Sequence, residues 1–304
     1  MTIFITPKGF DHPHIDLIQR NAVKSWKQFG SDVDIVLIGN DSGVSEAAAD
    51  LGVGYVSEVK RSKWGTPLLS DIFLTGRNFS DSPLLAYVNA DIILLPNFMN
   101  FSKKILESEK KSFLLVGQRW DLDVQSPVDY SNGWQERMYK DIETRGRRHP
   151  AGGSDYFVYP RDCFMTIPDF AIGRSGWDNW MFYEARLKKY KLIDCSDAID
   201  IVHQDHDYAH LPNGQPHYRL PESAENVKLA GGKRNIFTLA DCNWKMKKDG
   251  SLVKSAMTNT KLKREAEIFP LISLKSNFLG EISYAIFHPK KKYQEIRKSM
   301  KKQS

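Results

Sequence analysis

Short apolar runs alternate with longer segments whose apolar residues recur at helical spacing through the first half of the chain. Four apolar runs predict buried strands: residues 2–6, 33–38, 54–59 and 84–88. Three intervening segments predict helices: residues 14–29, 44–51 and 66–79, the last with Pro67 near its first turn. Repeated strand–helix units favour an α/β fold with a mostly parallel sheet flanked by helices.

The second half of the chain is less regular. Three apolar runs predict further strands: residues 113–117, 156–159 and 199–202. Residues 177–189 predict a helix, and the polar residues 120–150 predict a loop over a ligand site. From about residue 255 the chain is basic and amphipathic, so we expect one domain over residues 1–250 and a helical, basic extension over 251–304.

The composition is that of a folded protein with one local excess of positive charge. Of the 304 residues, 41% are hydrophobic, which is enough for a core. Residues 290–304 carry seven Lys or Arg and one Glu, which accounts for the whole net charge of +6. Because this charge lies in one tail, we expect no nucleic-acid partner.

The three cysteines, Cys163, Cys195 and Cys242, are widely spaced and form no CxxC pair. They predict neither a disulfide framework nor a zinc site. The sequence shows no signal peptide and no run of about 18 apolar residues. We therefore expect a cytoplasmic protein in a reducing compartment.

A polar segment follows each of the first four predicted strands. In parallel sheets of this kind, ligands bind outside the carboxyl ends of the strands. The four segments are Thr6-Pro7-Lys8, Gly39-Asn40-Asp41, Arg61-Ser62-Lys63 and Asn89-Ala90-Asp91. Most of them carry polar groups able to hold a nucleotide.

Asn89 and Asp91 lie two residues apart at the end of an apolar strand, a spacing that points two side chains the same way. Their oxygens suit one Mg²⁺ or Mn²⁺ ion, or a ribose and diphosphate. A plain turn between strands would also contain Asn and Asp. These residues alone leave both explanations open.

The strand, Asn-Ala-Asp and strand of residues 84–94 resemble the DxD motif of GT-A glycosyltransferases, in particular the family 2-like members. The order of the other segments resembles that family over about residues 1–245. The resemblance implies a Rossmann-like GT-A fold with a nucleotide-binding half at 1–118 and an acceptor half at 119–250. It also implies a nucleotide-sugar donor, and a divalent metal, Mn²⁺ or Mg²⁺, as cofactor.

Within this motif, Asp91 matches the last Asp and is the expected metal ligand. Asn89 stands where the first Asp of the motif usually lies, and it supplies no charge. Its amide could still bind a ribose hydroxyl or a metal-bound water. Metal independence therefore stays open for this chain.

Further donor contacts are expected around this motif. Thr6 follows the first strand, and Arg61 and Lys63 precede a predicted helix start whose partial positive charge would help them bind phosphates. Two glycines before a strand permit close backbone approach to a ligand. The resemblance places an acidic residue near the base or ribose and a Gly-rich segment beside the donor sugar. The matching residues are Asp41, Gly152, Gly153 and Asp155.

Asp178, at the start of the predicted helix 177–189, matches the acidic residue that inverting GT-A enzymes use as general base. Its carboxylate would remove the proton of the acceptor hydroxyl. Trp177 and Trp180 flank it and are expected to stack on an acceptor sugar. Helix capping is a simpler explanation of Asp178.

Three histidines crowd after the predicted strand 199–202. The family often has a His there that completes the metal shell, so His203 and His206 are expected metal ligands, with His210 as a third candidate. Zinc is the competing metal, and a hydrogen-bonded loop cluster would explain the histidines without any metal.

The apolar residues of 278–287 join the basic tail, a pairing that can hold a protein on an anionic membrane. The sequence therefore predicts a glycan or lipid-linked acceptor, as in surface polysaccharide or glycoconjugate synthesis. The protein would be cytoplasmic, or peripheral at the inner face of a membrane. A frayed, solvated C-terminus would explain the tail equally well.

Other classes of protein fit the sequence less well. A sugar-1-phosphate nucleotidyltransferase would have a Gly-rich basic loop after the first strand, where Thr6-Pro7-Lys8-Gly9-Phe10 has one Gly. A Rossmann dehydrogenase would have GxGxxG there, which is absent. A non-catalytic carbohydrate-binding protein stays open, and it would bind glycan without transferring sugar.

Overall fold

The structure is a computed structural model that describes residues 1–109, 112–206 and 220–300. Nine strands form the main sheet: β1 (Thr2–Ile5), β2 (Asp34–Ile38), β3 (Gly54–Val56), β4 (Leu84–Val88), β6 (Phe113–Val116), β9 (Tyr156–Pro160), β10 (Lys191–Asp194), β12 (Trp244–Met246) and β13 (Leu252–Lys254). Four strands form a smaller sheet: β5 (Ile92–Leu94), β7 (Trp120–Leu122), β8 (Arg147–Arg148) and β11 (Ile201–Gln204).

Ten α-helices lie in the described ranges: α1 (Pro13–Lys27), α2 (Val44–Leu51), α3 (Leu69–Phe79), α4 (Pro96–Ser108), α5 (Trp134–Arg145), α6 (Trp177–Leu187), α7 (Pro221–Leu229), α8 (Asn259–Ile272), α9 (Asn277–Phe287) and α10 (Pro289–Met300). Proline begins α1, α4 and α7, where its missing N–H is not needed. None of the helices in this part of the chain is long and apolar enough to cross a membrane.

The main sheet has the strand order β13-β12-β10-β6-β9-β4-β1-β2-β3. Strands β9 and β13 run antiparallel to their neighbours, and the remaining strands are parallel to one another. The predicted mixed, mostly parallel sheet flanked by helices is therefore confirmed. Parallel strands are covered on both faces, which is why β1 and β4 are buried along their whole length and, apart from Thr2, apolar.

The smaller sheet packs against the main sheet through β5. Alternate residues of this strand face opposite sides. Ile92 and Leu94 join the main hydrophobic core, whereas Ile93 and Leu95 belong to a second core beneath α5 and β7. Trp26 of α1 locks the contact by donating its indole N–H to the Ile92 carbonyl at 2.9 Å.

The predicted loop over residues 120–150 is wrong. This segment contains β7, α5 and β8, and α5 buries Trp134, Met138 and Ile142 in the second core. The predicted helix 66–79 begins later, at Leu69. The reason is that Pro67 pairs with Arg61 in a short bridge, which uses this backbone before the helix starts.

The predicted boundary at residue 250 falls inside a β-hairpin. Strand β13 pairs antiparallel with β12, so the main sheet extends past residue 250. The helical part of the C-terminus begins with α8, which Thr258 caps by accepting from the Lys261 N–H. Arg186 of α6 anchors α8 through Glu265 at 2.6 Å.

Candidate active site

A cavity of about 670 Å³ opens at the carboxyl ends of β1, β2 and β4. This is the edge where a parallel sheet is expected to bind its ligands. Most of the residues predicted for donor, acceptor and metal binding line it: Thr6, Asp41, Arg61, Asn89, Asp91, Gly153, Asp155, Trp177, Asp178, His203 and His206.

Strands β5 and β11 bring the predicted metal ligands together. Their antiparallel pairing places His203 opposite Ile92, directly after Asp91. Asp91 Oδ2 lies 3.0 Å from His206 Nε2 and 3.5 Å from His203 Nε2. One atom from each residue lies within 4.8 Å of the other two, which is close enough to share one ion.

The charges of this cluster are strongly coupled. Burial opposes ionisation of Asp91, but the two histidines outweigh it and hold the pKa of Asp91 well below its usual range. Burial also opposes a charge on His203, yet Asp91 and Asp121 raise the pKa of His203 to about 9. His203 therefore carries a proton at neutral pH, and a metal ion would have to displace it.

The residues of the cluster fit a divalent ion. Asp91 Oδ1 is buried and accepts no hydrogen bond from the described residues, an arrangement that favours a bound cation. One carboxylate with two imidazoles suits a transition ion better than Mg²⁺, which prefers oxygen ligands. Of the two predicted metals, the donor set therefore favours Mn²⁺.

Gln204, which the sequence analysis did not single out, braces the backbone of Asp91. This fully buried side chain donates to the Asp91 carbonyl at 3.0 Å and to the Ile18 carbonyl at 2.7 Å. Its Oε1 accepts from Asn21 Nδ2 at 3.0 Å. Satisfied buried networks of this kind are rigid, so α1 and β11 fix the Asp91 main chain.

Asp121 is a second residue that sequence reasoning missed. The parallel pairing of β7 and β11 sets it beside His203, with Oδ1 at 3.3 Å from His203 Nδ1. It also accepts from Arg119 at 2.8 Å and contacts His149 Nδ1 at 2.8 Å. A carboxylate in this position restricts the orientation of the His203 ring.

The structure explains why Asn rather than Asp occupies position 89. Asn89 Nδ2 donates to Asp155 Oδ1 at 2.8 Å, and Arg119 donates to the same oxygen at 2.8 Å. An Asp at position 89 would set two carboxylates against each other. The amide therefore orders Asp155 at the cavity wall.

Asp178 also lines the cavity, in the first turn of α6 and next to Gly153. Gly176 occupies the N-cap position, so Asp178 is not the capping residue itself. Burial, with a smaller effect from Asp155, raises the pKa of Asp178 to about 6, although nearby backbone N–H groups oppose the shift. A carboxylate with this pKa is poised to take a proton near neutral pH.

Gly153 leaves the space that the Asp178 carboxylate fills. A Cβ at Gly153 would lie 2.6 Å from Asp178 Oδ2, whereas a Cβ at Gly152 would meet nothing within 4 Å. We expect Gly153→Ala to displace the carboxylate and to lower kcat roughly 10- to 100-fold, because small misplacements of reacting groups are costly. Steady-state kinetics with Gly152→Ala as the matched control, and circular dichroism for the fold, check this; equal rates for both variants would contradict it.

Three predicted residues do not line the cavity, and a fourth falls outside the described residues. Lys63 points away from the cavity, pairs with Glu225 at 3.1 Å and stacks over Trp64. Trp180 is buried against Phe170, and Gly152 does not line the cavity. His210 falls outside the described residues.

Two other predicted residues reach the cavity but are already engaged with the protein. Trp177 contacts the cavity but packs edge-on against Tyr87, with ring centroids 5.1 Å apart. Arg61 donates to Asn40 at 2.9 Å and to Asp41 at 3.3 Å. Arg61 therefore orders the loop around Asp41, and phosphate binding by Arg61 stays a prediction.

No family model and no curated protein matches the chain. Its structure is similar to glucosyl-3-phosphoglycerate synthase from Mycobacterium tuberculosis in complex with Mg²⁺ and UDP, with a TM-score of 0.48 and 12% identity over 76% of this chain and 79% of that chain. It is also similar to a mannosyltransferase from Pyrobaculum calidifontis in complex with GDP-Man and Mn²⁺, with a TM-score of 0.44 and 12% identity over 68% of this chain and 58% of that chain. These likenesses are remote, so the ligands of this chain are inferred from its own residues.

Proposed function

We propose that this protein is a metal-dependent glycosyltransferase that moves a sugar from a nucleotide-diphosphate sugar to an acceptor hydroxyl. One observation carries the proposal: a carboxylate–histidine cluster fit for a divalent ion and a separate carboxylate with a pKa of about 6 line the same cavity. The first suits a leaving diphosphate and the second suits a proton acceptor.

Metal binding, proton transfer and sugar binding are assigned to different residues of the cavity. Asp91, His203 and His206 would hold the ion, which when bound would neutralise the leaving diphosphate. Asp178 accepts the proton of the acceptor hydroxyl as its oxygen attacks the anomeric carbon. Asp155, held by two donors on one oxygen, is ordered at the cavity wall to bind sugar hydroxyls. Positioning by this rigid frame supplies much of the rate.

A base placed to activate an acceptor favours inversion at the anomeric carbon, since the acceptor then attacks from the face opposite the leaving group. A glycan or a lipid-linked sugar is the proposed acceptor, within surface polysaccharide or glycoconjugate synthesis. A lipid-linked acceptor would place the enzyme at the inner face of a membrane.

The half-buried Asp178 also distinguishes the proposed transferase from a non-catalytic protein. A non-catalytic carbohydrate-binding protein gains nothing from a carboxylate whose pKa burial raises to about 6, because the buried charge costs folding stability. A proton acceptor needs this property. The rival therefore leaves the environment of Asp178 unexplained.

We expect a nucleoside diphosphate together with Mn²⁺ to raise the melting temperature by several degrees, and Mg²⁺ to have a smaller effect. Ligand at 100 times its Kd stabilises the folded state by about 2.7 kcal/mol. A thermal-shift screen of UDP, GDP, ADP, CDP and dTDP with each metal measures this. The free nucleosides, which lack the diphosphate, are the matched controls.

Other outcomes of the screen would reject parts of the proposal. Stabilisation by Zn²⁺ without any nucleotide would indicate a zinc site in place of a donor site. Stabilisation by free sugars with none by nucleotides would support the carbohydrate-binding protein. In a separate activity assay, release of pyrophosphate from a nucleoside triphosphate and a sugar-1-phosphate would indicate a nucleotidyltransferase.

A further inference from the structure

Helix α9 is packed with its small residues inward and its large apolar residues outward. Gly280 lies against Leu271 of α8, and Ser283 donates to the Glu267 carbonyl at 2.8 Å. On the other side, large apolar side chains recur every four residues and therefore share one face. They are Phe278, Ile282 and Ile286, with exposures of 73%, 44% and 70%.

Helix α10 likewise has polar side chains toward the domain and large apolar side chains toward solvent. Among its residues whose exposure is described, the half-buried ones are Lys292 and Glu295, three positions apart. Lys292 pairs with Glu281 of α9 at 2.5 Å, and Glu295 pairs with Arg234. Tyr293 and Met300, seven positions apart and so on one side of the helix, are exposed by 67% and 64%. Ion pairs thus fix α10 to the domain while its apolar side chains face outward.

Exposed cations lie on the same segment as these apolar side chains. Lys290, Lys291, Arg297 and Lys298 of α10 are all exposed, as is Lys275 just before α9. An apolar face bordered by Lys and Arg is the pattern of helices that lie in the interface of an anionic bilayer. A second copy of this chain would bring like charges together, which disfavours self-association through the same face.

We propose that the outer face of α9 and α10 is a docking surface for an anionic lipid bilayer. The apolar side chains would enter the acyl boundary, and the cations would lie among the anionic headgroups. The binding needs neither nucleotide nor metal, because no residue of the surface lines the catalytic cavity. If the protein does not bind membranes, the proposed sugar transfer is unaffected. If the protein does not transfer sugar, the proposed membrane binding is unaffected.

Sedimentation of the full chain with vesicles tests this proposal. We expect binding to phosphatidylcholine vesicles that contain 30% phosphatidylglycerol, weak binding to pure phosphatidylcholine, and weakening by salt. The triple variant Phe278→Ser, Ile282→Ser and Ile286→Ser should lower the partition coefficient at least tenfold. Each of Lys290→Gln and Lys291→Gln should lower it about fivefold.

A matched control keeps the test specific. Leu74→Ser and Met165→Ser remove apolar side chains of similar exposure outside α9 and α10, and we expect them to leave binding unchanged. Circular dichroism confirms folding of each variant. Absence of wild-type binding to the anionic vesicles, or equal losses in the control pair, would overturn the proposal. So would analytical ultracentrifugation that shows a dimer which the triple variant dissociates.

Discussion

Asp178→Asn should lower kcat for sugar transfer by about 10²- to 10⁴-fold, the usual contribution of a general base. The amide has the shape of the carboxylate and can still accept from the backbone N–H groups at the start of α6. It cannot take a proton. The Kd of the nucleotide-sugar donor should stay within about twofold, because the proposed site of the ion and the diphosphate is Asp91, His203 and His206, not Asp178.

The same substitution should make the protein more stable. Burial raises the pKa of Asp178 from 3.8 to about 6, so the folded state binds this proton more tightly than the unfolded state. The stability that this group contributes is present below pH 3.8 and is lost as the pH rises through about 6. Above that pH the variant should melt a few degrees higher than the wild type, and the difference should shrink as the pH falls towards 4.

The pH profile and a control complete this test. Wild-type kcat should rise with pH and level off above about 6, because the ionised carboxylate is the active form. Glu136→Gln removes an exposed acidic residue from the first turn of another helix, α5, and should change neither rate nor stability. A variant at position 178 that keeps at least half of the wild-type rate would exclude Asp178 as the base.

Asp91→Asn should lower kcat/KM by about 10²- to 10⁴-fold, which corresponds to the several kcal/mol that a metal ion contributes to charge stabilisation. The amide cannot supply the negative charge with which Asp91 would help His203 and His206 hold the ion. Unlike Asp178→Asn, this variant should also lose the stabilisation by nucleoside diphosphate and Mn²⁺. Isothermal titration of Mn²⁺ and of the nucleotide measures both losses.

Asp81→Asn is the matched control, because it removes an exposed carboxylate outside the cavity. Since Asp91 is paired with two histidines, the melting temperature of the metal-free variant must be compared with the wild type to separate folding from binding. Normal Mn²⁺ affinity in a folded Asp91→Asn protein would remove Asp91 from the metal site. If the Asp91→Asn protein binds the donor normally and metal has no effect on binding, the transfer is metal-independent. The presence of Asn at position 89 leaves this possibility open.

Much of the first half of the fold could be predicted because its signals are local. A buried parallel strand is a continuous apolar run, and β4 and α2 have the bounds that the sequence predicts. In the second half, some strands are short and contain polar residues, so they give only a weak signal in the sequence. Trp120, Leu122 and Val124 alternate with polar residues, which is the signal for β7, but three residues of strand are easily taken for a loop.

The predicted acceptor tryptophans show a second limit. Sequence spacing places Trp177 and Trp180 at the start of α6, but it does not reveal which side of the helix meets the core. In the fold, Trp180 packs on Phe170 and Trp177 on Tyr87, because large aromatic side chains gain most when they leave water. The position of Lys63 could not be predicted from the sequence either. Its long charged side chain pairs with Glu225 of α7, which is distant in the sequence.

The local pattern of residues predicts that Asn89-Ala90-Asp91 lies at the carboxyl end of a buried strand, and that Asp178 lies at the start of a helix. It does not predict which distant groups these residues contact, because those contacts arise from the packing of the whole domain. Pairing of β5 with β11 and of β11 with β7 sets His203 between Asp91 and Asp121, and the packing of α6 sets Asp178 against Gly153. The physical reason is that strand order depends on burial over the whole sheet, which no local pattern records.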